Sequence, residues 1–194
     1  MVHNEKPSSA LGVFFEGGSC MHFRILLCYH QRNKHSHTRV SIMIRGSTIG
    51  DCRTIYEMIC DLENTELPYD VFRRIYTCQL ESCDYICFVY EEDGNMLGCI
   101  SLRMEYQLHH AGRIAEIMEL YVDESCRSKG IGHQLFARAS AHALQSDCTL
   151  LEVCCNQVRI RTHAFYEREG MNKSHFKSTK KLSGNVPDKN QFGI

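Results

Sequence analysis

The chain has 194 residues, of which 43% are hydrophobic and 23% charged, a composition typical of one globular domain and too apolar for a disordered chain. Its 22 basic and 23 acidic side chains give a formal net charge of -1, which argues against a nucleic-acid binder that works by phosphate neutralisation. Any anionic ligand must therefore be met by local charge.

We expect a cytoplasmic protein without a membrane partner. No run approaches the roughly 18 apolar residues that cross a bilayer, and the apolar stretch at residues 25–28 is too short for a signal-peptide core. The 12 cysteines are scattered along the chain without C-x-x-C spacing. We therefore expect reduced thiols in small buried sites rather than disulfides or metal ligands.

Residues 1–42 differ from the rest of the chain. They hold five of the 11 histidines and show no sustained hydrophobic period. We interpret them as a poorly ordered extension, or as sequence upstream of a true start at Met43, and a metal-binding or targeting arm is the alternative. The folded domain is expected over residues 43–182, followed by a loose tail over residues 183–194.

From Met43 onward the hydrophobic pattern alternates between strand and helix periods. The elements predicted in chain order are a strand at 42–44, a helix at 55–62, a second helix at 71–76 after Pro68, antiparallel strands at 85–90 and 97–104, a strand at 114–122, a helix at 132–146, a strand at 149–155, a helix at 163–170 and a possible final strand at 175–182. This order predicts a sheet that begins as an antiparallel meander and is flanked by about four helices.

The most informative stretch joins the strand that ends at Val122 to the helix that follows. Its turn carries Gly130 and Gly132, whose missing side chains let the backbone approach a ligand closely. Several N–H groups converge there at the positive end of a helix, an arrangement suited to a pyrophosphate. Taken alone, the R-x-x-G-x-G pattern is equally consistent with an ordinary strand-to-helix turn, and neither a P-loop nor a dinucleotide-binding G-x-G-x-x-G is present.

The chain contains, in order, a meander, a strand, the R-x-x-G-x-G turn, a helix, a strand with Asn156 and a helix with Phe165 and Tyr166. This order resembles that of the GNAT acetyltransferase superfamily. The resemblance implies a mixed α/β (α+β) fold and acetyl-CoA as co-substrate. Four segments make the resemblance more specific, because they are similar to the aminoalkylphosphonate N-acetyltransferases of bacterial phosphonate metabolism. These segments are residues 59–72, 109–122, 163–170 and 174–180.

The resemblance also implies cofactor contacts. In this superfamily, main-chain groups at the positions of Leu120, Tyr121 and Val122 hold the pantetheine arm. The pyrophosphate is held by the turn, which here consists of Arg127, Ser128, Lys129, Gly130, Ile131 and Gly132. Asn156 is expected to hydrogen-bond the pantetheine, and a simple loop cap is the alternative.

Acetyl transfer to an amine needs a base, because an alkylamine with a pKa near that of lysine, about 10.4, is mostly protonated at neutral pH. The resemblance implies that Glu116 is this base. Glu119 is the reserve, and strict strand alternation would place it on the opposite face. Tyr166 matches the superfamily tyrosine that donates a proton to the departing CoA thiolate, and a ring packed under the sheet is the alternative.

A phosphonate offers up to two negative charges and three acceptor oxygens. The side chains expected to contact the substrate are Glu66, His110, Arg159, His175 and Lys177. A divalent metal ion that bridges the phosphonate is an open possibility whose ligands the sequence does not identify.

The function expected from these residues is N-acetylation of a small aminoalkylphosphonate by direct attack on acetyl-CoA. One alternative is a GNAT enzyme for another amine, such as a polyamine, an aminoglycoside or a protein amino terminus. A second alternative is a non-catalytic acetyl-CoA sensor, which would keep the turn but lack a working base. A homodimer is possible.

Overall fold

The computed structural model describes residues 27–29 and 40–182. The predictions for the five N-terminal histidines and for the tail at 183–194 therefore lie outside the described residues. Residues 27–29 form strand β1 (Leu27–Tyr29), which pairs with the next strand and adds a short edge to the sheet. No helix in the described ranges is long and apolar enough to cross a membrane.

One six-stranded sheet forms the centre of the fold, with its strands side by side in chain order. The strands after β1 are β2 (Ile42–Gly46), β3 (Tyr85–Glu92), β4 (Asn95–Gln107), β5 (Gly112–Val122) and β6 (Cys148–Val153). Neighbours are antiparallel from β1 to β5, whereas β5 and β6 are parallel. The predicted mixed sheet with an antiparallel N-terminal meander is confirmed.

In the described part of the chain, four α-helices accompany the sheet: α1 (Cys52–Glu63), α2 (Tyr69–Glu81), α3 (Ile131–Gln145) and α4 (Ile160–Arg168). Asp51 stands just before α1 and accepts hydrogen bonds from the Arg45 guanidinium at 2.7 and 2.9 Å, which ties the helix start to β2. Pro68 precedes α2, where its fixed φ and missing N–H are tolerated. These two helix starts therefore follow directly from the sequence.

Each face of the sheet buries its own apolar cluster. On one face, Leu102 of β4 and Leu135 of α3 are both fully buried. On the other face, Val89 and Cys99 meet Ile55 of α1. Complete burial of a large aliphatic side chain stabilises the fold by about 1.5–3 kcal/mol. The two clusters thus hold β4 and β5 firmly between two helical layers.

One element prediction is wrong: residues 171–182 contain no strand. The side chains of this segment are exposed along almost its whole length, so no buried face fixes a strand register. The other predicted helices and strands are confirmed with shifted ends. The cysteines from Cys52 to Cys155 are free thiols. Cys52, Cys99 and Cys148 are buried as expected, whereas Cys78, Cys83 and Cys154 are exposed, so the prediction of buried sites is wrong for these three.

Candidate active site

The parallel strands β5 and β6 separate before β5 ends. Their last paired residues are Ile117 and Val153, whereas β5 continues to Val122. Residues 118–122 therefore have β4 on one side and, within the described ranges, no strand partner on the other. Backbone N–H and C=O groups along such a gap need partners, and an extended polar ligand can supply them. This stretch contains Leu120, Tyr121 and Val122, the residues predicted to hold pantetheine.

A helix N-terminus lies beside this gap. Gly130 is the N-cap of α3 and has a φ of 84°, in the left-handed region that glycine adopts without strain. The first turn of α3 contains no acidic residue, so its N–H groups and its dipole are suited to an anion. A Cβ added to Gly132 would lie 3.4 Å from the Phe165 ring and 3.8 Å from Val122, which is ordinary van der Waals contact, so the start of α3 packs close to both residues.

The two cations of the turn lie against its own backbone and side chains. Arg127 Nε donates a hydrogen bond to the Val122 carbonyl oxygen at 3.1 Å, which holds the turn against the end of β5. Lys129 Nζ lies 3.9 Å from the sulfur of Cys126. Ser128 has a φ of 66° and contributes to the reversal of the chain. The predicted cofactor residues are thus brought together around one end of the gap.

Glu116 and Glu119 lie on the same face of β5, which corrects the prediction that they face opposite sides. Glu119 pairs with Ser101 and Ile117 pairs with Leu102, so Met118 is an extra residue that forms a β-bulge. Below the bulge, Glu116 pairs with Arg103, two residues from Ser101 on the same face of β4. The bulge thus brings both carboxylates to the side of the sheet covered by α1 and α2.

Glu116 is engaged by two cations. Its carboxylate accepts a hydrogen bond from Arg103 Nη2 at 2.8 Å, and Lys177 Nζ lies 3.9 Å away. Arg103 also contacts Glu105 at 3.4 Å. Glu116 lies within the paired part of β5, opposite Glu152 of β6. Glu116 is therefore paired with cations of the protein on this face of the sheet.

Glu119 lies beyond the last β5–β6 pair, next to the gap. Its carboxylate accepts a hydrogen bond from the Ser101 hydroxyl, and no cation contacts it among the described residues. Burial raises the pKa of Glu119, and the negative charge of Glu63 acts in the same direction, whereas the Ser101 hydrogen bond lowers it. A desolvated carboxylate with a raised pKa is the better candidate for a general base near neutral pH.

Tyr166 is buried in the apolar cluster between the sheet and helices α3 and α4, with its ring 5.2 Å from that of Phe165 and 6.3 Å from that of Phe136. Packing under the sheet, the alternative left open by the sequence, is therefore observed. Burial raises the pKa of Tyr166, so its hydroxyl keeps its proton at neutral pH, as a general acid must.

Asn156 forms the loop cap that the sequence left as an alternative. Its side-chain oxygen accepts a hydrogen bond from the Val158 N–H at 3.2 Å, and its carbonyl oxygen contacts His163 Nε2 at 3.0 Å. The Asn156 amide NH₂ has no protein partner within the described ranges, so it can still donate to a ligand.

The predicted substrate residues do not form one cluster. Lys177 lies beside Glu116, and Arg159 Nη2 donates to the Leu62 carbonyl oxygen at 2.9 Å near the end of α1. Glu66 lines a separate cleft of about 540 Å³ between α1 and α2, which Arg53 and Tyr69 also line. His110 contacts Glu152 at 3.7 Å, and Glu152 is the β6 residue opposite Glu116. His175 is exposed and contacts its neighbour Ser174.

Sequence reasoning missed Ser101 and Arg103, and it missed the partner of Glu63. Ser101 and Arg103 are polar residues that alternate with buried Ile100 and Leu102 in β4, which is the pattern that could have marked a polar face there. Glu63 is joined to Arg159 at 3.3 Å, a contact between residues 96 positions apart in the chain. No local pattern predicts such a pair.

The described part of the chain holds no preformed metal site. Within residues 27–29 and 40–182, histidine, cysteine, aspartate and glutamate nowhere form a group of three that could hold one. No step of the reaction is therefore derived through a metal.

Comparisons with known proteins agree with this geometry. A family model described as the acetyltransferase (GNAT) family matches residues 55–171. Aminoalkylphosphonate N-acetyltransferase of Salmonella typhimurium is 39% identical over 139 residues, which is 72% of this chain and 90% of that protein. The chain belongs to the GNAT family and is an N-acetyltransferase.

Two solved structures show the same fold. Glucosamine-6-phosphate N-acetyltransferase of Arabidopsis thaliana superposes with a TM-score of 0.63 at 23% identity, over 73% of this chain and 98% of that one. An aminoglycoside N-acetyltransferase in complex with CoA superposes with a TM-score of 0.68 at 14% identity, over 77% and 99%. The family uses acetyl-CoA as acetyl donor, which agrees with the gap and the turn described above.

Proposed function

We propose that this N-acetyltransferase transfers the acetyl group of acetyl-CoA to the amino group of a small aminoalkylphosphonate. The observation that carries the proposal is the extent of identity to the Salmonella aminoalkylphosphonate N-acetyltransferase, which spans nearly the whole of that enzyme. Catalysis would reside in residues 43–182, in the cytoplasm.

The charges on the α1–α2 face of the sheet support an acceptor molecule that carries both a positive and a negative charge. Glu119 and Glu63 offer negative charge to an ammonium group, whereas Arg103 and Lys177 carry positive charge near Glu116. An aminoalkylphosphonate has an ammonium group at one end and an anionic group at the other. A simple polyamine would leave the two cations without a partner in the ligand.

Acetyl-CoA would lie with its pantetheine along residues 118–122 and its pyrophosphate at the N-terminus of α3. Glu119 then takes a proton from the acceptor ammonium, and the free amine attacks the thioester carbonyl carbon. Backbone donors along the gap stabilise the oxyanion of the tetrahedral intermediate. As the intermediate collapses, the C–S bond breaks, Tyr166 gives its proton to the CoA thiolate, and the nitrogen loses its second proton, which restores the Tyr166 hydroxyl through solvent.

Glu116 is the base that the family resemblance implies, and it remains a prediction. The geometry favours Glu119, because Glu116 is held by Arg103 and Lys177 and lies inside the paired part of β5. In this arrangement Glu116 orients the two cations toward the anionic end of the acceptor.

An amine panel tests the substrate class. Release of the CoA thiol is followed with aminomethylphosphonate, 2-aminoethylphosphonate, glycine, β-alanine and spermidine, each with and without a chelator. We expect kcat/KM for the phosphonates to exceed that for the matched carboxylates by about 100-fold, because the smaller anion leaves cations unpaired. A preference for spermidine would instead indicate an enzyme for another amine, and CoA binding without turnover of any amine would indicate a sensor.

The chelator arm tests a metal that bridges the phosphonate. A loss of rate confined to the phosphonates would show that a cation enters with the substrate, since the described residues form no site of their own. Unchanged rates would leave the protein cations as the only partners of the phosphonate.

A further inference from the structure

Ser101 lies opposite Glu119 at the β4–β5 bulge. Its hydroxyl donates a hydrogen bond to Glu119 Oε2 and also accepts one from the Glu119 N–H, over 3.2 Å. One side chain thus satisfies the backbone donor at the bulge and binds the carboxylate of the same residue. No other group among the described residues donates a hydrogen bond to that carboxylate.

We propose that Ser101 is a positioning residue for acetyl transfer, which holds the Glu119 carboxylate in the orientation that reaches the acceptor ammonium. The proposal rests on the proposed role of Glu119 as the base. A glutamate side chain has three rotatable torsions, and its rotamers are otherwise restricted only by packing. Contact at both its backbone N–H and its carboxylate fixes the two ends of the side chain, so a proton acceptor is in place before the acceptor amine arrives.

The groups that face Glu119 determine the direction in which its pKa shifts. Glu63 faces it from the end of α1 and Cys99 faces it from β4, while Glu63 is itself paired with Arg159 at 3.3 Å. Burial and Glu63 raise the pKa of Glu119, and the Ser101 hydrogen bond opposes them. Removal of the hydroxyl should therefore raise the pKa of Glu119 further and make the base titrate at a higher pH.

The test compares Ser101→Ala, Ser101→Thr and Glu119→Gln in the full chain. The pH dependence of kcat/KM for 2-aminoethylphosphonate, or for the best amine of the panel, is measured at saturating acetyl-CoA, together with the KM for acetyl-CoA and the Tm. We expect Ser101→Ala to lower kcat roughly 10-fold, the order for one lost hydrogen bond to a charged group, and to move the acid limb to higher pH. The KM for acetyl-CoA should not change.

Ser101→Thr keeps the hydroxyl and should restore both the rate and the acid limb. A structural role alone would lower the Tm of Ser101→Ala without moving the acid limb, and that result would overturn the proposal. If Ser101→Ala kept the kcat and the pH profile of the parent while Glu119→Gln were inactive, the proposed role of Ser101 would be overturned. Glu119 would remain the base. Parent-like activity of Glu119→Gln would overturn the base assignment, and the role of Ser101 with it.

Discussion

Glu116 and Glu119 face the same side of the sheet although they are three positions apart along β5, because Met118 is the extra residue of a bulge. Their surroundings differ: Arg103 donates a hydrogen bond to Glu116 at 2.8 Å, whereas Glu119 is half-buried and is held by a neutral hydroxyl. Two carboxylates whose environments differ in this way can take different roles in one reaction.

Glu119→Gln should lower kcat by about 100-fold or more, the range for loss of a positioned general base. Binding of acetyl-CoA, measured by calorimetry, should be unchanged, because the carboxylate faces the acceptor. Glu116→Gln should have a smaller effect on kcat and a larger effect on the acceptor KM. Glu105→Gln is the matched control, since Glu105 also contacts Arg103. If Glu116→Gln abolished turnover while Glu119→Gln kept the parent rate, the two roles would be exchanged.

The raised pKa of Glu119 predicts how stability depends on pH. A carboxyl group whose pKa is higher in the folded state than in the unfolded chain stabilises the fold at low pH, and this contribution is lost as pH rises through the folded-state value. Glu119→Gln removes the titration. The Tm of the variant relative to the parent should therefore increase from acidic to neutral pH, as measured by calorimetric scans. A constant difference across that range would contradict the raised pKa.

Gly98→Ala should impair cofactor binding from outside the site. A Cβ at Gly98 would stand 2.7 Å from the Tyr121 carbonyl oxygen and 3.4 Å from Val122 Cα, so the end of β5 would have to move. We expect a loss of about 1–3 kcal/mol in stability, typical of overpacking, and a raised KM for acetyl-CoA. Gly46→Ala in β2 is the control, because nothing lies within 4 Å of its added Cβ. Equal KM values in the two variants would refute this link between β4 and the cofactor.

Tyr166→Phe keeps the packing of the ring against Phe136 and Phe165 and removes only the hydroxyl. If Tyr166 protonates the thiolate, kcat should fall by about 10²-fold, the lower end of the range for a general acid, with little change in Tm. Tyr90→Phe is the control, since Tyr90 is buried in the same cluster. A parent-like kcat would leave Tyr166 with a packing role only.

A chain that begins at Met43 should fold and acetylate like the full chain. Most of β2 and its pairing with β3 lie after this point, and both apolar clusters are built from later residues. The truncation removes β1, which pairs with β2 over three residues. Thermal unfolding and turnover of the two chains provide the measurement. A large fall in either would assign residues 1–42 to the domain.

Periodicity was sufficient to predict most of the fold. Ile55 and Met58 recur at helical spacing and are buried in α1, and Pro68 marks the start of α2 as expected. The segment at 175–182, interpreted as a possible strand, is irregular, because no buried face selects a register for it. Local pattern therefore predicts an element reliably only where tertiary packing uses that pattern.

The active-site face was harder to predict for two physical reasons. A bulge such as that at Met118 depends on pairing with β4, and the sequence of β5 alone is consistent with unbroken alternation. The contacts of Glu116 with Arg103 and of Glu119 with Ser101 cross between strands, so their partners follow from register and not from spacing. The turn at Gly130 could be predicted, because its chemistry is local to a few consecutive residues.

The early separation of β5 from β6 has a consequence for heat tolerance. If pantetheine occupies the gap along residues 118–122, the bound ligand stabilises that end of the sheet. A ligand that binds only the folded chain at 100 times its Kd adds about 2.7 kcal/mol to the free energy of unfolding. The stability of the enzyme would then depend on the concentration of acetyl-CoA. In a cell depleted of acetyl-CoA, the enzyme would unfold more easily and would be more susceptible to proteolysis.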